Sequence, residues 1–306
     1  MKGKIPIYFG LLFLAFAIGL WNVSPTWSMT YVDALGRHVS LDGPPKRIVS
    51  LAPSLTEMLY YLGLGDRVVG VTTFSDYPPE AARKPKVGSY AHLNVEKIIE
   101  LNPDLVVGTK DGNSPTVIHL LEQAGIPVYI VNPRRVKDVG TTLYDMARLC
   151  GVEEKGRLLS QRLAHKVQYV QDKVKGLRRP LVFLQINLRP IITVNKNTIH
   201  NDVIRLAGGI NMAENEPITY PTISLEEVLK RRPEVIVISS MERGGRFEKA
   251  RQDWMRWKSI PAVRDNRVYL LDSDCLDRPS PRIIDGLETL AKLLHPDLEW
   301  EGLGRE

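Results

Sequence analysis

Three features of the 306-residue sequence predict an α/β fold of two similar βα lobes joined by one long helix. Short apolar runs alternate with longer amphipathic ones, which is the rhythm of parallel strands covered by helices. The stretch Asn94 to Val107 matches Ser224 to Val237 without a gap, at an offset of 130 residues. Between the two copies, Glu153 to Lys175 lacks proline and carries Leu158, Leu159, Leu163, Val167, Val170 and Val174 mostly three or four apart, so it reads as one amphipathic helix. Composition sets outer bounds. With 43% hydrophobic and 25% charged residues the chain is neither disordered nor collagen-like. Two cysteines are too few for a zinc finger or an iron-sulfur cluster, so hydrophobic cores must hold the fold.

In chain order, residues 1–28 come first. Lys2 and Lys4 precede an apolar run holding Phe9, Leu11, Leu12, Phe13, Leu14, Phe16, Ile18 and Leu20, and the small Thr26 and Ser28 follow. This is the layout of a cleavable secretory signal. The alternative is an uncleaved membrane anchor, although the most apolar part is shorter than the ~20 residues a spanning helix needs. Either way the bulk is exported, and the periplasm is the expected compartment. Without Lys2 and Lys4 the net charge of +6 falls to +4, scattered along the chain, which gives no footprint for nucleic acid. Cys150 and Cys275 lie in different halves and are expected to stay unpaired.

Residues 29–151 are expected to form the first lobe, 152–177 the linking helix, 178–295 the second lobe and 296–306 a tail. Expected strands are Ile48–Leu51, Val68–Val71, Leu105–Val107 and Val128–Val131 in the first lobe. In the second they are Leu181–Ile186, Ile191–Val194, Val235–Ile238 and Val268–Leu271. Ser54-Leu55-Thr56-Glu57 has the spacing of a capping box, and Gly63 ends the helix it opens. Each repeated stretch reads as an N-cap, a short helix, a proline and a buried strand. The offset also relates Tyr90 to Tyr220, so each lobe offers a tyrosine on the loop entering an equivalent helix. A continuous helix between the lobes opposes large hinge closure.

Ligands of open α/β sheets bind beyond the carboxyl ends of the strands. The loops there carry Phe74, Tyr90, residues 108–113, Asn187 to Pro190, Tyr220 and the run Asp272 to Pro279. Aromatic plates with a few polar groups describe a pocket for a large, flat or bulky ligand. Catalytic signatures are missing: no GxSxG, HExxH or Walker A spacing occurs, and Gly63-Leu64-Gly65 is a helix end. Of the six histidines only His92 and His200 fall near cleft loops, as rim or surface residues, which is too few for a metal site. Glu96 and Glu226 stand two residues past their N-caps, where a carboxylate favours the helix dipole.

Taken together, the sequence resembles the periplasmic binding proteins of ABC importers for cobalamin and iron chelates, most closely the cobalamin binders among them. The likeness runs from about Arg47 to Leu294 and is carried by Phe74-Ser75-Asp76-Tyr77-Pro78-Pro79, Asn94-Val95-Glu96, Asn102 to Val106, Val182-Phe183-Leu184-Gln185 and Arg278 to Ile284. It implies the class III binding-protein architecture and a transported corrinoid as cargo, with no enzymatic activity, cofactor or metal. By position it implies that Phe74, Tyr90 and Tyr220 pack on the corrin, and that Asp274 and Arg278 meet its amide-rich periphery. Glu96 and Glu226 would dock on permease arginines, one per lobe, and through the permease serve its ATPase. The free protein would be a monomer. Tyr90 and Tyr220 replace tryptophans of the cobalamin binders, as do Thr109 and Cys275, and their disulfide cysteines are unmatched. A ferric siderophore or haem is the alternative cargo; the acidic Asp272, Asp274 and Asp277 weigh against a highly anionic chelate.

Overall fold

The structure is a computed structural model that describes residues 29–239 and 246–300. The expected signal at 1–28 and the end of the expected tail lie outside the described residues. The chain enters through an antiparallel hairpin of β1 (Met29–Val32) and β2 (His38–Leu41), which the apolar patterning did not announce. Asp33 closes its turn by accepting backbone N–H bonds from Leu35 at 2.9 Å and Arg37 at 3.0 Å. Burial raises the pKa of this carboxyl, but the hydrogen bonds from Arg37 and Leu35 outweigh it and hold the group below the usual aspartate value.

The first lobe follows as β3 (Ile48–Ser50), α1 (Pro53–Tyr61), β4 (Val68–Val71), α2 (Pro79–Ala82), α3 (Val95–Glu100), β5 (Leu105–Thr109), α4 (Pro115–Gln123), β6 (Val128–Val131) and α5 (Val136–Leu149). Its four strands form a parallel sheet in the order β4-β3-β5-β6. Next, α6 (Glu153–Val174) is the expected linking helix, 22 residues and about 33 Å long. It lies against α5 so closely at Gly156 that a Cβ there would overlap Ala147.

The second lobe contains β7 (Leu181–Gln185), α7 (Ile199–Leu206), β8 (Ile210–Asn211), α8 (Leu225–Arg231), β9 (Val235–Ile238), α9 (Arg246–Trp254), α10 (Pro261–Arg264), β10 (Val268–Leu270), α11 (Ser273–Leu276) and α12 (Ile283–Leu294). Its parallel sheet has the order β10-β9-β7-β8. Ile191–Val194, expected as a strand, is not one. Ile192 only bridges Asn187 and Thr222, and the sheet's fourth place is taken by the two-residue β8. The expected capping box is also absent: α1 starts at Pro53 with Ala52 as N-cap, and Ser54 caps nothing.

Strand residues point alternately to opposite faces, and the cores follow. Val49, Val106 and Ile130 pack outward with Ile98 of α3 and Leu121 of α4. Phe183, Ile236 and Ile238 pack outward with Val228 of α8 and Trp254 of α9. The inward residues of both sheets, among them Val107, Val131, Leu184 and Val237, belong to one continuous core with α1, α5, α6, α7 and α12. The order is therefore helices, sheet, central helices, sheet, helices, and the middle layer is common to both lobes.

The repeated unit agrees down to its backbone. The side chains of Asn94 and Ser224 cap α3 and α8 by accepting from Lys97 N at 2.9 Å and Glu227 N at 3.2 Å. Asn102 and Arg232, also related by the offset, both take left-handed φ values, 44° and 53°, ahead of Pro103 and Pro233. Asp104 then accepts the Lys46 and Arg47 amides at 2.7 and 2.9 Å, while Glu234 accepts the Leu181 amide at 2.8 Å. In each lobe a carboxylate pins the chain as it enters the neighbouring strand.

Candidate ligand-binding cleft

Beyond the carboxyl ends of the strands the two lobes meet, where residues 278–282 of the second reach Glu57 and the loop after β4 of the first. On the first lobe, Tyr90 is half-buried, and its hydroxyl lies 3.1 Å from that of Thr109. Its ring lies over Gly112, where any Cβ would overlap it. Asn113 locks this arrangement: its side-chain oxygen accepts the Thr109 amide at 2.7 Å, and its NH2 donates to the carbonyls of Leu51 at 3.0 Å and Tyr90 at 3.4 Å. Tyr220 is different. It is 49% exposed, and the charges around its hydroxyl come from both lobes. Burial raises its pKa first, Arg134 lowers it, and Asp111, Tyr90 and Asp277 add to the rise. The Tyr220 hydroxyl is thus within electrostatic reach of Tyr90 and of the Arg134–Asp111 ion pair, closed at 2.6 Å, on the first lobe. Phe74, on the loop after β4, exposes 56% of its surface.

Sequence reasoning missed the residue at the centre of the polar rim. Glu57 has a side chain only 2% exposed and takes hydrogen bonds from three residues of the other lobe. Arg278 Nη1 donates to Oε1 at 2.9 Å, Ser280 Oγ to Oε2 at 2.6 Å, and Arg282 donates to both oxygens at 2.9 Å. Arg278 also reaches Asp76 at 3.3 Å, the Phe74 carbonyl at 3.4 Å and Asp274 at 2.9 Å. Arg282 lies 3.6 Å from Asp274 and 4.0 Å from the centre of the Tyr77 ring. Buried charges of this kind persist only when paired; removing one partner costs about 3–5 kcal/mol. Arg278 was expected to touch ligand. Here it is buried and engaged within the protein, and Asp274, held in place by both arginines, is the more accessible of the two expected polar residues, its side chain 21% exposed against 9%.

Asp277, next in the chain to Arg278, turns to the second lobe. Its Oδ1 accepts from Ser239 Oγ at 3.0 Å, and His200 Nε2 lies 3.1 Å from the same atom. His200 is buried, not the rim or surface histidine that was expected, whereas His92 is exposed. Residues 188–190, expected at the cleft, line a cavity of about 720 Å³ with Gln185 at the carboxyl end of β7 and with Trp254 and Trp257. Both cysteines are free; burial pushes the Cys150 thiol up to about 12 and that of Cys275 up to about 11. Among the described residues no three His, Cys, Asp or Glu side chains are grouped to hold a metal ion. Glu96 and Glu226 stand exposed on the first turns of α3 and α8. The Glu226 carboxyl is held below the usual glutamate value by its own backbone amide and by the Ser224 hydroxyl.

Comparison with known proteins agrees with this fold. The profile of the family described as periplasmic binding protein matches residues 48–275. A vitamin B12-binding protein of Vibrio parahaemolyticus is 33% identical over 247 residues, covering 80% of this chain and 87% of that one. The crystal structure of the periplasmic vitamin B12-binding protein BtuF of Vibrio cholerae superimposes with a TM-score of 0.74 at 31% identity, over 83% of this chain and 98% of that one. A periplasmic heme-binding protein from Pseudomonas aeruginosa gives 0.76 at 27% identity, over 84% and 95%. The chain belongs to the periplasmic binding protein family, whose members bind solutes and are not enzymes.

Proposed function

We propose that the protein is the substrate-binding component of an ABC importer, that it captures cobalamin or a related corrinoid between its lobes, and that it hands this cargo to the membrane permease. The observation that supports the reading best is that each lobe carries a tyrosine at the equivalent place on the loop entering its helix, Tyr90 and Tyr220, close enough for their hydroxyls to interact electrostatically, with Phe74 exposed on a neighbouring loop. Flat aromatic rings from both lobes suit a broad macrocycle, because the ligand buries apolar area on both sides at once. Asp274 supplies an acceptor for side-chain amides of the cargo, while Arg278 and Arg282 hold that carboxylate in place. The likeness to named vitamin B12-binding proteins points to the same cargo.

In the same reading, Glu96 and Glu226 dock on basic residues of the permease. Their equivalence under the 130-residue offset suits a partner with two-fold symmetry. Residues 1–28 direct the chain to the periplasm and are removed there, and the free protein is a monomer. Isothermal titration with cyanocobalamin, alongside a matched titration with hemin, tests the assignment. Saturable one-to-one heat and a raised melting temperature are expected with cyanocobalamin. Binding of hemin alone would move the cargo to haem, and binding of neither would overturn the reading.

A further inference from the structure

Consecutive residues of one short segment are tied to opposite lobes. Asp277 is bound to Ser239 and His200 of the second lobe, whereas Arg278, Ser280 and Arg282 converge on Glu57 in α1 of the first. The segment 274–282 thus acts as a suture across the floor of the cleft, and Glu57 is its anchor on the first lobe. The anchor is buried and bidentate, so its geometry is stiffer than that of a solvent-exposed ion pair. Asp274 depends on it, since both arginines that position the Asp274 carboxylate are themselves held by Glu57.

We infer that Glu57 is a positioning residue for ligand capture: by clamping the 274–282 segment to the first lobe it fixes both the width of the cleft and the place of Asp274. The part of this inference that concerns affinity rests on the proposed cargo. The part that concerns cleft width does not.

The experiment separates the two. Spin labels are placed at Glu100→Cys and Lys230→Cys, exposed and equivalent positions on α3 and α8, in a Cys275→Ser background; the buried Cys150 stays unlabelled. Pulsed dipolar distances are recorded without ligand for the otherwise native protein and for Glu57→Gln. Cyanocobalamin affinity is measured on the unlabelled pair well below their melting temperatures. A single narrow distance distribution is expected for native protein, a broader or displaced one for Glu57→Gln, and a dissociation constant raised about tenfold or more, the loss that follows when a charge-assisted contact is misplaced. A purely structural role would lower the melting temperature and leave the distance distribution and affinity unchanged, and that result overturns the inference. Should native protein bind no cyanocobalamin, the cargo assignment fails while the distance measurement still decides the clamp. Ser280→Ala removes only one of the Glu57 contacts; if Glu57→Gln does not fold, this variant must show the same changes on a smaller scale, and unchanged distances in it would equally overturn the inference.

Discussion

The loops carrying Tyr90 and Tyr220 enter equivalent helices, yet the first is tied down and the second stands open. Tyr90 is fixed by Thr109, Asn113 and the bare backbone of Gly112. Around Tyr220 the backbone is held, with Pro221 O accepting from Thr193 N at 3.0 Å and Thr219 O from Asn195 N at 3.0 Å, but the side chains of Ile218 and Tyr220 are 65% and 49% exposed. The unit that follows is alike in both lobes, including its cap, its left-handed residue and its carboxylate pin. Duplication has kept the parts that build sheets and let the strand-end loops diverge. The first lobe presents a tyrosine fixed by its neighbours, and the second presents one whose side chain is half exposed.

This contrast can be broken or sharpened by experiment. The largest effect is expected at the shared docking positions: Glu96→Arg or Glu226→Arg should cut cyanocobalamin uptake in reconstituted proteoliposomes by about a hundredfold or more, because like charges brought together cost several kcal/mol, while ligand affinity stays native. Unequal loss from the two lobes would show that docking does not follow the repeat. Next come the tyrosines. Both Tyr90→Ala and Tyr220→Ala should weaken cyanocobalamin binding, by about 30-fold for an aromatic contact worth roughly 2 kcal/mol. Only Tyr90→Ala should also lower the melting temperature, since it alone opens a hole over Gly112 and strips Thr109 of a partner.

A smaller effect concerns acid. Burial holds the His295 pKa below its ordinary 6.5, with Arg267 adding to the drop and the Ala207 and Gly208 backbone opposing it. The unfolded chain therefore takes up the proton first, so stability is full above pH 6.5 and is lost as pH falls from there through the lower native value. Melting scans from pH 7.5 to about 5 should show this loss in native protein and a flatter profile in His295→Gln; parallel profiles would dismiss it. The smallest effect tests the repeat itself. Arg232→Gly should raise stability by about 0.5 kcal/mol in urea titrations and Asn102→Gly should change little, because asparagine tolerates a left-handed backbone better than arginine does.

What was legible in the sequence is what local pattern encodes. The repeat, the linking helix and seven of the eight expected sheet strands are visible as periodicity, caps and prolines within windows of about 5–20 residues. Glu57 was not legible in its role. Its spacing from Ser54 imitates a capping box, and the arginine that claims it lies 221 residues further along. Ile191–Val194 misled for the opposite reason: a β-branched run looks like a strand wherever it falls, and only the two-residue β8 occupies the edge. Among the site residues, the aromatic ones could be placed because loops after strands are easy to find. The burial of Arg278 could not, since it depends on packing between lobes.

The central helices shared by the two sheets carry a further consequence. The inward residues of both sheets and helices from both halves of the chain belong to one continuous core, so the two lobes share an interior. Splitting the gene at the connecting helix should therefore yield fragments that aggregate when made singly, and heat should melt the intact molecule in a single cooperative step. Chimaeras that exchange one lobe between relatives would have to carry the whole middle layer with them.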